Sequence, residues 1–373
     1  MRLTSAVERV GTLVAADASA RSGVQRLDLY GAPSPPIPPH IREAVLEAVD
    51  RDARAPSRGD PSLRAAAARW VESASGRSYD PDREILVTNG GMQALSVSFQ
   101  ALLDAGDSVV IPSPSFFFGN LVSMAGAESV YVPSVERTGW TWDLERLAAA
   151  IDSRTRVIVA CNPCNPTGYL PSIDDLRRLA ELAVRHDLVL LADESYERVV
   201  YDGRRISSLA SLPEIADRLV LVRSVSKSFG MPGWRIGFVF APPTILERCL
   251  AIFEWTSLRC SVVAQRAAWA ALEGPPDWLA GITEQYQRNR HLAYSAVTAT
   301  QRLSCRLPDS CPFLFVNVAN LKGSSPADRE DQLLELGIPI VPGRHFIAPD
   351  YVRLPFGGEP RTLDLLARSL AAL

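Results

Sequence analysis

Seven short apolar runs, at 85–88, 108–112, 129–132, 157–161, 188–192, 219–222 and 237–240, are spaced along the middle of the chain with helix-length segments between or beside them. Several are continuously apolar rather than alternating, a pattern that belongs to strands covered on both faces. Segments 64–73 and 176–184 place apolar residues at helical spacing, so helices and strands alternate. The pattern predicts an α/β fold built on a mostly parallel seven-stranded sheet with helices on both faces. After residue 240 the pattern changes: a helical stretch at 244–254 leads to apolar runs at 313–318 and 338–341 and to a final helix from Thr362. These predict a smaller α+β domain. With 373 residues, 47% of them hydrophobic, the chain can bury a core of this size.

Open α/β sheets bind ligands beyond the carboxyl ends of their strands, and this sequence concentrates its chemistry there. Of 39 basic residues only two are lysines, Lys227 and Lys322. A lysine kept where arginine is otherwise the rule points to a need for an amine, because guanidinium stays protonated and cannot form a Schiff base. Lys322 sits beside a Gly-Ser-Ser-Pro turn and has no such context. Lys227 does: Ser224 and Ser226 precede it, Gly230 and Gly233 follow, and Arg235 stands eight positions on. A carbonyl-binding lysine and a phosphate-binding arginine in one pocket are what pyridoxal phosphate requires.

The remaining needs of that cofactor have candidates in order along the chain. Gly90 and Gly91 fall between the run at 85–88 and a helical segment at 92–103, where backbone amides and the positive helix end can hold a phosphate. Read alone, the pair is more often a plain turn, but no GxGxxG or Walker-type pattern competes with it. Phe116, the first of three consecutive phenylalanines after a proline-broken strand, is placed to lie flat on a heterocycle, with Phe117 and Phe118 read as core. Asn165 follows the run at 157–161 in a segment with two Asn-Pro bonds, ahead of a helix capped by Ser172 and Asp175. Asp193 and Tyr196 end the run at 188–192. A carboxylate there can keep a pyridine nitrogen protonated, and a phenol can tune the ring oxygen. The Cys161-x-x-Cys164 spacing has no second pair to complete a metal site, and a proline interrupts it.

With Asn165-Pro166-Thr167-Gly168, Asp193-Glu194-Ser195-Tyr196 and Ser224-Val225-Ser226-Lys227 through Arg235 in this order, the chain resembles the fold-type I pyridoxal phosphate enzymes, specifically the class I/II aminotransferases. The resemblance runs from about residue 29 to Arg353 and beyond. It implies that Lys227 carries the cofactor as a Schiff base, that Asp193 pairs with the pyridine nitrogen, and that Asn165 and Tyr196 hold the ring oxygen. It also implies Phe116 on the ring face and Gly91, Met92, Ser224 and Arg235 around the phosphate. Arg353 and Gly31 are the implied binders of the substrate's α-carboxylate, with Asn165 beside them. Residues 45–253 would form the cofactor-binding domain, and 1–44 with 254–373 the smaller one. The implied reaction moves an amino group between an amino acid and a 2-oxo acid, in a homodimer whose active sites lie at the subunit boundary. A lyase, cyclase or decarboxylase on the same fold would use the same ring-binding residues, so these do not separate the readings. A noncatalytic cofactor sensor would need an appended recognition module, for which the roughly 40 residues before the main domain are too few.

Two positions depart from the family pattern. Arg54 stands where a tyrosine that reaches the partner subunit's cofactor phosphate is usual, and Gly119 where a second tyrosine is frequent. The net charge of −3, with both signs interspersed, offers no basic stripe for nucleic acid. No run of about eighteen uninterrupted apolar residues is present, and the N-terminus lacks a signal-peptide core. The expectation is a cytoplasmic protein without bound metal, whose six scattered cysteines are reduced and largely buried.

Overall fold

The computed structural model describes residues 37–50 and 54–373. All seven expected strands form: β1 (Ile85–Thr88), β2 (Ser108–Ser113), β3 (Glu128–Pro133), β4 (Thr155–Cys161), β5 (Val189–Asp193), β6 (Leu219–Ser224) and β7 (Gly237–Phe240). They make one sheet in the order β1-β7-β6-β5-β4-β2-β3. Only β7 runs against its neighbours, pairing antiparallel with β1 and β6, while the pairs from β3 across to β6 are parallel. The continuous apolar runs have their explanation in burial: β1, β2, β6 and β7 are buried along their whole length, β4 and β5 each leave one residue near the start less than buried, and the edge strand β3 is exposed or half-buried along most of its length.

The covering helices follow local signals. The helix Ile173–Arg185 opens on a reciprocal capping box between Ser172 and Asp175, and turns Leu176, Leu179, Ala180, Leu182 and Ala183 inward. The helix Pro61–Ser75 starts with proline in its first turn, has its amides capped by Asp60 and stops at Gly76, whose φ of 75° is left-handed. Beyond β7, a second sheet holds β8 (Phe313–Asn317), β9 (Val341–Pro342) and β10 (Tyr351–Pro355) in the order β8-β10-β9. Of the apolar run at 338–341 only Val341 becomes strand, opening the two-residue β9. Gly337 turns the chain at φ 74°, and Pro339 has no amide to offer a ladder, so Ile338 and Ile340 are buried without being strand. Among the described residues no helix is long and apolar enough to cross a membrane.

Candidate active site

Three parallel strands deliver the chemistry from their carboxyl ends. Asp193 is the last residue of β5 and still in register with Cys161 of β4. Asn165 lies four residues beyond β4, and Ser224 closes β6 and caps the one-turn helix Val225–Ser228 that carries Lys227. Where β1 ends, Gly90 (φ 84°) turns the chain into the helix Gly91–Leu102. Gly91, Met92, Phe116, Asn165, Asp193, Tyr196, Ser224, Lys227, Arg235 and Arg353 all line one cavity of about 290 Å3. Gly31 lies outside the described residues. A larger cavity of about 720 Å3 on the side of Trp70 and Tyr286 shares only Lys227 with the first.

At one end the cavity is a cradle built by close approach. A β-carbon on Gly90 would overlap the Arg235 guanidinium, and one on Gly237 would stand 2.5 Å from the Gly90 carbonyl carbon. Arg235 is itself left-handed (φ 56°), and its Nη1 donates to the Pro232 carbonyl at 3.0 Å, which holds the guanidinium against the glycine turn. The Ser224 hydroxyl donates to the Ile236 carbonyl (3.1 Å) and accepts from the Ser226 amide (3.1 Å). The result is a cation, hydroxyls and a helix N-terminus around one small space, a donor set suited to a phosphate.

At the other end, Asp193 Oδ1 accepts from the Ser195 amide (3.0 Å) and hydroxyl (2.6 Å). Burial pushes its carboxyl above the usual range, opposed by those two hydrogen bonds, with Glu194 adding to the rise. Lys227 moves the opposite way. Burial first, then the positive charges of Arg353 and Arg235, lower the pKa of its amine, with Cys311 opposing. The neutral amine, the form that attacks a carbonyl, is thus reached at lower pH than in a free lysine. Burial also drives the Tyr196 phenol well up, so it stays protonated as a donor.

Arg353 comes from β10 of the small sheet, 188 positions from Asn165 in sequence, and its Nη1 donates to Asn165 Oδ1 at 3.0 Å. Its guanidinium also lies over the Phe313 ring of β8, 4.2 Å from the centroid, so an aromatic face fixes the plane of the fork. Glu194, beside Asp193, has a structural task. It is fully buried against Arg223 (2.8 Å), with the Ser208 hydroxyl and Leu209 amide donating to it, which locks the end of β5 to β6.

Several features escaped the sequence reading. Ser195, Leu95, Pro232, Phe313 and Pro355 also line the cavity, alongside Ser226, which the sequence already places next to Lys227. Ser195 carried a signal, a hydroxyl two residues after a buried strand-end carboxylate, where short polar side chains bond local backbone and neighbours. The cysteines are all free and buried as expected, but three are not scattered: the Asn165 amide donates to Cys161 Sγ (3.4 Å) and Cys311 Sγ to the Cys164 carbonyl (3.7 Å). They pack beneath the Asn165 loop, and no metal-ligand cluster exists among the described residues. Gly119 leaves no hole, because a β-carbon there would overlap the Tyr131 hydroxyl of β3. Arg54 is exposed and lines no part of the cavity of its own chain. Lys322 is exposed too.

Comparisons with known proteins agree with this geometry. A family model described as aminotransferase class I and II matches residues 29–370. Aspartate aminotransferase of Pyrococcus abyssi is 33% identical over 342 residues, covering 90% of this chain and 87% of that one. Aromatic-amino-acid aminotransferase 2 of Thermococcus litoralis is 32% identical over 342 residues, with the same coverage of 90% and 87%. The crystal structure of the Rhizobium meliloti aspartate aminotransferase superposes with a TM-score of 0.93 at 30% identity, over 100% of this chain and 98% of that one. With the lysine, the strand-end carboxylate and the two arginines meeting in one cavity of that fold, this chain belongs to the class I and II aminotransferases, enzymes that transfer amino groups between amino acids and 2-oxo acids.

Proposed function

We propose that the cavity holds pyridoxal 5'-phosphate on Lys227 and that the enzyme uses it to move an amino group from an amino acid to a 2-oxo acid. The observation that carries this reading is the convergence of a depressed lysine amine, a buried carboxylate and a glycine-arginine cradle on one cavity of about 290 Å3. The residues present fit the cofactor. The phosphate suits Arg235, the Ser224 hydroxyl and the amides after Gly90. The ring nitrogen suits Asp193, the ring oxygen Asn165 and Tyr196, and the ring face Phe116. When bound, the cofactor supplies an electron sink for negative charge on the substrate's α-carbon.

The chain's own residues do the rest. Lys227 would hold the cofactor through Nζ, and its amine, once free, would serve as general base for the substrate's α-proton. Arg353 grips the α-carboxylate in a two-point contact, steadied by Asn165 and the Phe313 face. Asp193 keeps the ring nitrogen protonated, and the buried Tyr196 phenol donates rather than ionises. Residues 45–253 are taken as the cofactor-binding domain and 1–44 with 254–373 as the smaller one, in keeping with a large sheet ending at Phe240 and a small one beginning at Phe313. The enzyme is further read as a cytoplasmic homodimer, in which Arg54, exposed and outside its own chain's cavity, would be placed to meet the second copy.

The test is spectroscopic. Holoenzyme mixed with an amino donor alone should convert its visible cofactor band to that of the aminated cofactor, with stoichiometric release of the 2-oxo acid. A band that returns to its starting form while product accumulates would mean elimination, cyclisation or decarboxylation instead, and would overturn the transfer reading.

A further inference from the structure

Asp193 sits at the end of β5 in a site that disfavours its ionised form, yet its proposed task requires the carboxylate. Among the described residues both hydrogen bonds to its side chain come from Ser195, the hydroxyl at 2.6 Å and the amide at 3.0 Å, and both end on Oδ1. Oδ2 is left for a donor in the cavity. Ser195 itself is placed from two sides. Its carbonyl accepts from the Ser228 hydroxyl at 3.4 Å, and its Oγ lies 3.4 Å from where a β-carbon on Gly91 would stand. The serine therefore fills the floor between the phosphate cradle and the carboxylate.

We propose that Ser195 is the positioning residue of the nitrogen-binding end: its hydroxyl and amide hold Asp193 as an oriented carboxylate with Oδ2 turned to the ring nitrogen. This rests on the cofactor reading above. Two donors on one oxygen stabilise the anion against burial and fix the rotation of the carboxyl group, and a short O–H···O⁻ contact is of the stronger kind. The other titratable groups around Asp193 do not take over this role. Glu194 is tied to Arg223, and the thiols of Cys161 and Cys311 and the phenol of Tyr196 are all held protonated. Lys227, on the same cavity, makes no hydrogen bond to Asp193, whose side chain accepts only from Ser195 among the described residues.

The sign of the pH dependence follows. Binding of a protonated ring needs Asp193 ionised, so affinity is lost as pH falls through the carboxyl's pKa. Removing the Ser195 hydroxyl raises that pKa and moves the acid limb of cofactor affinity to higher pH. Equilibrium dialysis of the holoenzyme at graded pH, read by the visible cofactor band, tests this in the parent, Ser195→Ala and Ser195→Thr. Ser195→Ala should bind the cofactor about tenfold more weakly near neutral pH, with its acid limb displaced upward by about one pH unit, and Ser195→Thr should restore both. Titration of the cofactor's own phosphate is common to all three proteins and cancels in the comparison. Unchanged affinity and limb in Ser195→Ala overturn the proposal, as does equal weakening in both variants with an unmoved limb, which would make residue 195 mere packing. A parent enzyme with no cofactor band at all would instead bring down the cofactor reading itself.

Discussion

The two ends of the cavity are built by different means. The end proposed for the cofactor is made of strand termini: Asp193 closes β5, Ser224 closes β6, and Lys227 follows within one helical turn, all on a sheet whose central strands are buried. The end proposed for the substrate carboxylate is borrowed from elsewhere: Arg353 belongs to the small sheet, lies over the Phe313 ring of the same sheet and donates to Asn165. A rigid frame suits the group that stays bound through every turnover. A contact between two sheets suits a substrate that must enter and leave. The comparison predicts that damage at the first end abolishes chemistry, whereas damage at the second weakens capture.

Lys227→Arg is the harshest break. The substitution keeps the positive charge but cannot form the covalent attachment, so turnover should fall to background and the visible band of the covalently held cofactor should vanish. Normal activity in that variant, measured with donor and acceptor together, would refute the assignment of the lysine and with it the distinction between the two ends.

Arg353→Lys probes the other end. An ammonium keeps the charge, but it cannot make the two-point fork or lie as a plane on Phe313. Loss of one charge-assisted hydrogen bond corresponds to KM raised about ten- to a hundredfold for both the amino acid and the 2-oxo acid. Cofactor retention should be unchanged. A fall in retention without a change in KM would reverse the roles given to the two ends.

The same division explains how much the sequence revealed. The cofactor end is written in contiguous stretches, because a strand end and the turn after it place their side chains by local geometry, and the apolar runs marked those ends to within a residue or two. Contacts between distant segments leave no such mark. Nothing near Asn165 announces Arg353, 188 positions away, and only a family pattern suggested it. Phe313 reads as part of an apolar strand, and it opens β8, but nothing in that run marks its ring as the face beneath the guanidinium. Gly119 read as the loss of a pocket phenol, although the Tyr131 hydroxyl of the neighbouring strand occupies the space its side chain would need. Ser195 was visible as a letter in a motif, but its bond to Asp193 is a matter of rotamer.

The smallest expected effect lies at Arg54, outside both ends. Arg54 is exposed, and the loop that follows it is pinned to the outside of the large sheet. Ser57 bonds Glu254, Arg58 pairs with Glu247 at 2.6 Å, and the Asp60 amide donates to Gln265 at 2.7 Å. A β-carbon on Gly59 would overlap Val87, so this loop has little freedom to swing. Arg54, three residues ahead of this anchored loop and outside the cavity of its own chain, is exposed to a second copy, where its guanidinium would meet either the cofactor phosphate or an acidic group on the substrate. Arg54→Tyr separates these roles. Cofactor affinity weakened several-fold to about tenfold, with unchanged substrate preference, would assign Arg54 to the phosphate. Intact affinity with KM raised for acidic substrates alone would assign it to selectivity. Because either effect needs the arginine to cross a subunit boundary, light scattering at assay concentration belongs to the same experiment. A fully active monomer, or a variant unchanged in both measurements, would leave Arg54 a solvated side chain and confine the working site to the two ends within one chain.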